Sequence, residues 1–206
     1  MIDLIWLYSG TPGSGKSLHA ASYLYWWLRS GKPAICNFDI NLFAVSRHTE
    51  QLRFLSLSNN QLTPDLLRKI AFNYFDLREL PVREDSILLV IDEAQLMFNA
   101  REWQTSGRSD WLSFFSQHRK YGYKIILLAQ FDRMIDRQIR SLIEYEFIHR
   151  KVSNMGWRGF FLSALMGSRV HVAVKVWYAM KEKVGSEFFR ARKKYYRLYD
   201  TYMSFT

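Results

Sequence analysis

Gly10-Thr11-Pro12-Gly13-Ser14-Gly15-Lys16-Ser17 satisfies every position of the pattern G-x-x-x-x-G-K-[ST]. A triphosphate carries several negative charges, and binding it needs many donors converging at short range. Glycines let the backbone wrap around the phosphates with its N–H groups pointing inward, and a following helix N-terminus adds a positive dipole. In this pattern Lys16 reaches the β- and γ-phosphates and the Ser17 hydroxyl ligates Mg²⁺. A second element, Ile87-Leu88-Leu89-Val90-Ile91-Asp92-Glu93, is an apolar run ending in two acids. Asp92 is placed to hold Mg²⁺ through its water shell, and Glu93 to polarise an attacking water. That pairing points to hydrolysis rather than to phosphoryl transfer onto a small acceptor. Gln130 closes a further apolar run, Lys124 to Ala129, with an amide that can sense phosphate or position water. Arg119, Arg137 and Arg140 are helical cations. Arg119 and Arg140 are candidates to act on nucleotide in a neighbouring subunit, though helical arginines are usually just solvated.

These residues need strands and helices to hold them. Leu4 to Tyr8 reads as a buried strand feeding the loop, and Lys16 to Arg29 as the helix that follows. Pro33 to Phe38 reads as a second strand, residues 40 to 62 as loops and short turns, and Thr63-Pro64 as the cap of a helix running to about Tyr74. Ile87 to Ile91 has the unbroken apolarity of a parallel strand covered on both faces. Ser109-Asp110 reads as a cap for a helix reaching His118, with Gly122 at its end, and a helix is predicted from Asp132 to Ile143. Strands follow around Tyr145 to Lys151 and Arg169 to Trp177, separated by a turn at Asn154-Met155-Gly156. The alternation predicts a three-layer α/β core over residues 1–150 and a small, basic, β-rich extension over 151–206.

The extension carries the charge. The 206-residue chain has a net charge of +10. From Met1 to Ile148 there are 17 Lys/Arg against 16 Asp/Glu, and from His149 to Thr206 there are 12 against 3. Such segregation suggests contact with nucleic acid or an anionic membrane surface; the plainer reading is a solvated basic face. Phe188 to Arg197 interleaves aromatics with cations, which suits single-stranded DNA as well as it suits packing on a sheet beside lipid. The single cysteine, Cys36, excludes an internal disulfide framework and a cysteine-built zinc site. No stretch reaches the about 20 apolar residues of a membrane helix, and the N-terminus lacks the features of a signal peptide.

Several segments together resemble one family: the N-terminal ATPase domain of zonula occludens toxin and the filamentous-phage assembly proteins grouped with it. They are the Gly10–Ser17 loop, Asn37, Val90-Ile91-Asp92-Glu93-Ala94-Gln95, the run His118 to Ile126 leading into Gln130, and Tyr199-Asp200-Thr201-Tyr202. The resemblance implies a RecA-like P-loop NTPase with a mainly parallel sheet, and kinship with the DNA-pumping ATPases of the FtsK and HerA type. It implies a strand inserted between those carrying the loop and the acid pair. ATP is implied as the nucleotide, together with self-association into a ring or other oligomer. Single-stranded phage DNA, coat or assembly proteins and the anionic inner membrane are implied partners. The implied place is the cytoplasmic side of the host's inner membrane, with power supplied for virion export. The readings set against it are another DNA-translocating or packaging ATPase, a small-molecule kinase, and a binding module that does not hydrolyse nucleotide.

Overall fold

A computed structural model describes residues 5–100, 107–152 and 170–199. Eight strands form one sheet: β1 (Ile5–Ser9), β2 (Ala34–Cys36), β3 (Phe54–Ser56), β4 (Ile87–Ile91), β5 (Tyr123–Ala129), β6 (Tyr145–Lys151), β7 (Val170–Trp177) and β8 (Glu182–Arg190). Their order is β3-β2-β4-β5-β1-β6-β7-β8. Strands β3 through β6 run parallel, and β7 and β8 extend the same sheet antiparallel. β5 lies between β1 and β4, which is the inserted strand that the resemblance implied.

The central strands are apolar at nearly every position, Ser9 of β1 and Lys124 of β5 apart, because both faces are covered, and successive side chains alternate between two cores. Leu7, Leu89, Ile91, Ile125 and Leu127 pack with α2 (Pro64–Asp76), α3 (Arg108–Gln117) and α4 (Arg137–Arg140). Tyr8, Leu88, Val90, Ile126 and Leu128 pack on the other face with α1 (Lys16–Arg29) and α5 (Lys193–Leu198). The result is three layers.

Helix α1 has the predicted bounds. Helix α2 starts as its sequence requires, with the Thr63 hydroxyl accepting from the Leu66 N–H at 3.3 Å and proline in the first turn.

Other elements differ from expectation. The second strand is shorter, and residues 40–62 hold two 3₁₀ turns and the three-residue β3, too brief at a sheet edge to leave a periodic signal. Helix α3 is capped not by Ser109 but by Gly107, whose φ of 108° lets the chain turn into the helix. The helix expected over 132–143 breaks in two. Ile135 is extended and pairs with Asn99, and the Asp136 N–H is taken by the Phe98 carbonyl at 2.9 Å. Asp136 then caps the four-residue α4 through the Gln138 N–H at 2.8 Å. The aromatic and basic stretch Phe188 to Arg197 spans the end of β8 and most of α5. The turn at 154–156 lies outside the described residues.

Candidate functional site

The candidate residues meet at the carboxyl edge of the parallel sheet. Ser9 pairs with Ala129 and Ile91 with Leu127, so β1, β4 and β5 end side by side. The next residues are Gly10, Asp92 and Gln130, and the Gly10 N–H donates to the Gln130 carbonyl at 3.1 Å. Open α/β sheets place ligands at such an edge.

From Gly10 the loop turns back on itself, with the Ser14 N–H on the Thr11 carbonyl at 3.1 Å, before α1 begins. Two glycines are required by close contact. At Gly10 (φ 140°) a Cβ would lie 2.7 Å from the His149 carbonyl, and at Gly15 (φ 104°) it would lie 2.7 Å from the His171 ring. Thr11, Pro12 and Gly13 are exposed, while Ser14 is buried. The Lys16 ammonium is folded onto the loop, 2.6 Å from the Gly10 carbonyl and 3.2 Å from that of Thr11. Burial pulls its pKa down, partly offset by the nearby Asp92 and Glu93 carboxylates. The first turn of α1 carries no acid to oppose a phosphate.

Asp92 is buried and held from three sides. Asn37 brackets its backbone, accepting from the Asp92 N–H at 2.7 Å and donating to its carbonyl at 2.9 Å. The Glu93 N–H donates to one carboxylate oxygen at 2.8 Å. The Tyr199 hydroxyl donates to the other at 2.5 Å and also meets the Ser17 hydroxyl. Burial raises the Asp92 pKa, while the Tyr199 and Glu93 hydrogen bonds and Lys16 work against that rise. Glu93 sits in the left-handed region at φ 46°, ψ 46°, an uncommon conformation for a residue with a side chain and one that clusters at active sites. Ser17 and Asp92 are hard oxygen donors bridged by one hydroxyl, which suits a small divalent cation such as Mg²⁺. Among the described residues no group of three or more His, Cys, Asp or Glu forms another metal site.

The arginines lie elsewhere. Arg119 precedes β5 and pairs with Glu144 at 3.8 Å, and the Glu144 N–H donates to Ile5 at the start of β1. Arg140 meets the Tyr178 hydroxyl just past β7. Arg119 is at the amino edge, and the seven residues of β5 put about 20 Å between that edge and the loop. Arg140 is nearer: the same Tyr178 hydroxyl donates at 3.0 Å to Asp132, two residues beyond Gln130. Arg137 shares α4 with Arg140 and is exposed.

The family model for zonular occludens toxin (Zot) matches residues 4–204. The chain belongs to the Zot family. Among curated relatives of this Zot-family chain, the Gene 1 protein of Enterobacteria phage M13 is 27% identical over 215 residues, covering 98% of the chain and 60% of that protein. The Gene 1 protein of Enterobacteria phage I2-2 is 26% identical, covering 81% of the chain and 46% of that protein. The chain thus spans about half the length of the curated relatives it matches. The N-terminal domain of zonular occludens toxin from Neisseria meningitidis superposes with a TM-score of 0.56 at 18% identity, covering 97% of this chain and all of that one. The genome packaging NTPase B204 of Sulfolobus turreted icosahedral virus 2, in complex with ATP-gammaS, gives 0.52 at 15% identity over 91% of this chain and 97% of that one. The fold is that of P-loop NTPases.

Sequence reasoning missed the histidines beneath the loop of this Zot-family chain. His149 on β6 donates from Nδ1 to the Ser9 carbonyl at 3.1 Å, and His171 on β7 donates from Nδ1 to the Ser14 carbonyl at 2.9 Å. The remaining Nε2 of neutral His149 must accept, so His19 on α1 donates to it at 2.9 Å. Only the alternation of β6 and β7 could have hinted that these rings point inward.

Burial pulls the pKa of His19 down to about 4 and that of His149 to about 3. An unfolded histidine binds its proton near pH 6.5, so between that pH and the folded values the unfolded chain holds more protons. Stability from these groups is therefore complete above about pH 6.5 and falls as pH drops, by up to about 1.4 kcal/mol per pH unit for each. Melting temperatures from pH 7.5 to 5 should decline, and the double substitution His19→Gln/His149→Gln should flatten the decline. An unchanged slope in that variant would assign the acid sensitivity to other groups.

Proposed function

We propose that this chain is a Mg²⁺-dependent ATPase motor domain that works as an oligomer in filamentous-phage assembly and export. The observation that carries the reading is the Ser17–Tyr199–Asp92 bridge beside Lys16, which gathers a phosphate-binding loop, two hard oxygen ligands and a strained glutamate at one sheet edge.

In this reading the backbone of Gly10, Thr11, Pro12, Gly13, Ser14 and Gly15 cradles the phosphates, and Lys16 leaves the Gly10 carbonyl for the β- and γ-phosphates. Ser17 and Asp92 hold Mg²⁺, which when bound neutralises charge on the transferring phosphoryl group. Glu93 takes the proton of the attacking water, while Gln130 orients that water or senses the γ-phosphate. Arg119, at the amino edge, faces away from its own site and is assigned to a neighbouring subunit, with Arg140 on the Tyr178 hydroxyl as the second candidate. The relatives named Gene 1 protein come from filamentous phages, and the packaging NTPase B204 shares the fold; these support a motor rather than a kinase. The basic final quarter, residues 151–206, is proposed to meet single-stranded DNA, a coat or assembly protein, or the anionic inner face of the host membrane. No helix among the described residues is long and apolar enough to cross a membrane.

Steady-state ATP hydrolysis measured against protein concentration, with and without single-stranded DNA, tests the proposal. Turnover rising faster than linearly means that assembly completes the site, and stimulation by DNA identifies a partner for the basic quarter. Absent turnover at all concentrations, on liposomes as well as in solution, would instead favour a binding module.

Tyr199 makes a separate prediction. Its hydroxyl stands between the two proposed metal ligands and must move aside before a cation is held there. Tyr199→Phe should lower the Mg²⁺ concentration for half-maximal turnover by about tenfold, the worth of one hydrogen bond to a charged group. A Mg²⁺ titration that does not shift would show that the hydroxyl does not compete with the metal.

A further inference from the structure

Two recesses open beside the phosphate loop, sharing Gly13, and their chemistry differs. One lies against the loop's outer turn and is lined by Thr11, Pro12, Ser14, His149, Arg150 and Lys151. It is polar and cationic. The other runs along Gly15 to Leu18 at the start of α1 and is walled by Tyr195, Tyr196, Tyr199 and His171. It is aromatic.

A nucleotide with its phosphates on the loop must send its nucleoside toward one of them. A row of cations rewards anions and offers a flat base little beyond the Arg150 guanidinium and the buried His149 ring to stack on. A row of rings does the reverse, because every nucleobase has a π-face that stacks on an aromatic side chain.

The rings of the aromatic recess are not equivalent. Tyr195 packs edge-on against Tyr25, centroids 5.7 Å apart, and its hydroxyl accepts from the Trp26 indole at 3.2 Å. Tyr199 packs edge-on against Phe38 at 5.0 Å, with its hydroxyl on Asp92. His171 is stacked on Phe189 at 5.5 Å, with its Nδ1 on the Ser14 carbonyl. Each of the three has its ring or its polar atom committed. Tyr196 is 51% exposed, and no side-chain hydrogen bond or ring contact ties it to another described residue. It is carried on α5, which is packed against α1 through Tyr195 and Leu198. A half-exposed ring on a packed helix, lining the recess at the start of α1, costs little ordering when a ligand stacks on it.

We infer that Tyr196 is the base platform of the site: the nucleobase of the bound triphosphate stacks on its ring, in the recess between the start of α1 and α5. The inference rests on the nucleotide site proposed above and adds to it the residue that grips the nucleoside.

Equilibrium binding of ATP and of inorganic tripolyphosphate to the same protein separates the two readings. Tripolyphosphate engages the loop and has no base. Tyr196→Ala should weaken ATP by about tenfold, within the range for losing one stacked base, and leave tripolyphosphate binding unchanged. Tyr196→Phe and Tyr196→Trp keep a π-face and should retain the affinity of the parent for ATP. Equal weakening of both ligands in Tyr196→Ala, or an unchanged ATP affinity, would overturn the inference. The site itself is tested by Lys16→Ala, which should weaken both ligands. If Lys16→Ala weakens neither, the nucleotide site is misplaced, whatever Tyr196→Ala does.

Discussion

The chain carrying Glu93→Gln is expected to bind ATP as the parent does and to hydrolyse it about 10²–10⁴-fold more slowly, the usual contribution of a positioned general base. Glutamine keeps the shape of the side chain and removes its capacity to take a proton. The backbone is expected to stay in place, because the Glu93 N–H is held by Asp92 and the Asp92 backbone by Asn37. Glu93 is held in the left-handed region, where a side-chain residue is rarely found without a compensating role. ATP binding measured alongside single-turnover hydrolysis separates the two effects. A turnover within about threefold of the parent would remove Glu93 from the chemistry and leave the proton to another group. Loss of binding together with turnover would point instead to a collapse of the β4 end.

Lys16→Ala is expected to reduce kcat/KM for ATP by about 10²–10³-fold, as removal of a preorganised charged donor does at other transferring centres. The ammonium is not buried in the core; it rests on the carbonyls of Gly10 and Thr11, which are loop atoms. Removing it should therefore leave the melting temperature nearly unchanged while abolishing the attraction for phosphate. Hydrolysis at the rate of the parent would sink the assignment of the loop as the nucleotide site. The two variants differ in a useful way: Glu93→Gln should trap bound ATP, whereas Lys16→Ala should weaken both binding and turnover.

Much of the architecture could be read from local pattern. The Thr63-Pro64 cap and the fourteen-residue helix after the loop lie where their residues put them. The apolar runs of β4 and of β5 after Lys124 are strands because a segment apolar at every position must be covered on both faces. Short or interrupted elements were less legible. Strand β3 is too short to carry a period, and α4 is separated from the turn before it because the backbone at Ile135 and Asp136 bonds to a segment some forty residues away. No local propensity encodes that choice. Serine is a good helix cap, but Gly107, two residues before Ser109, already supplies the turn into α3.

The site divides along the same line. Sequence alone pointed to the residues proposed to do the chemistry, since a glycine-rich loop ending in Lys-Ser and an apolar run ending in Asp-Glu are legible in residue type and spacing. Tertiary structure decided what surrounds them. It brought Asn37 against the Asp92 backbone, Tyr199 between Ser17 and Asp92, and His171 against Gly15. It also set Arg119 at the opposite edge of the sheet and Arg140 on the Tyr178 hydroxyl. Each of these contacts joins segments tens of residues or more apart. The spacing of residues within a strand or loop is written in the chain, but the strand order β4-β5-β1-β6-β7, which brings those segments together, is set by how the whole apolar surface is buried.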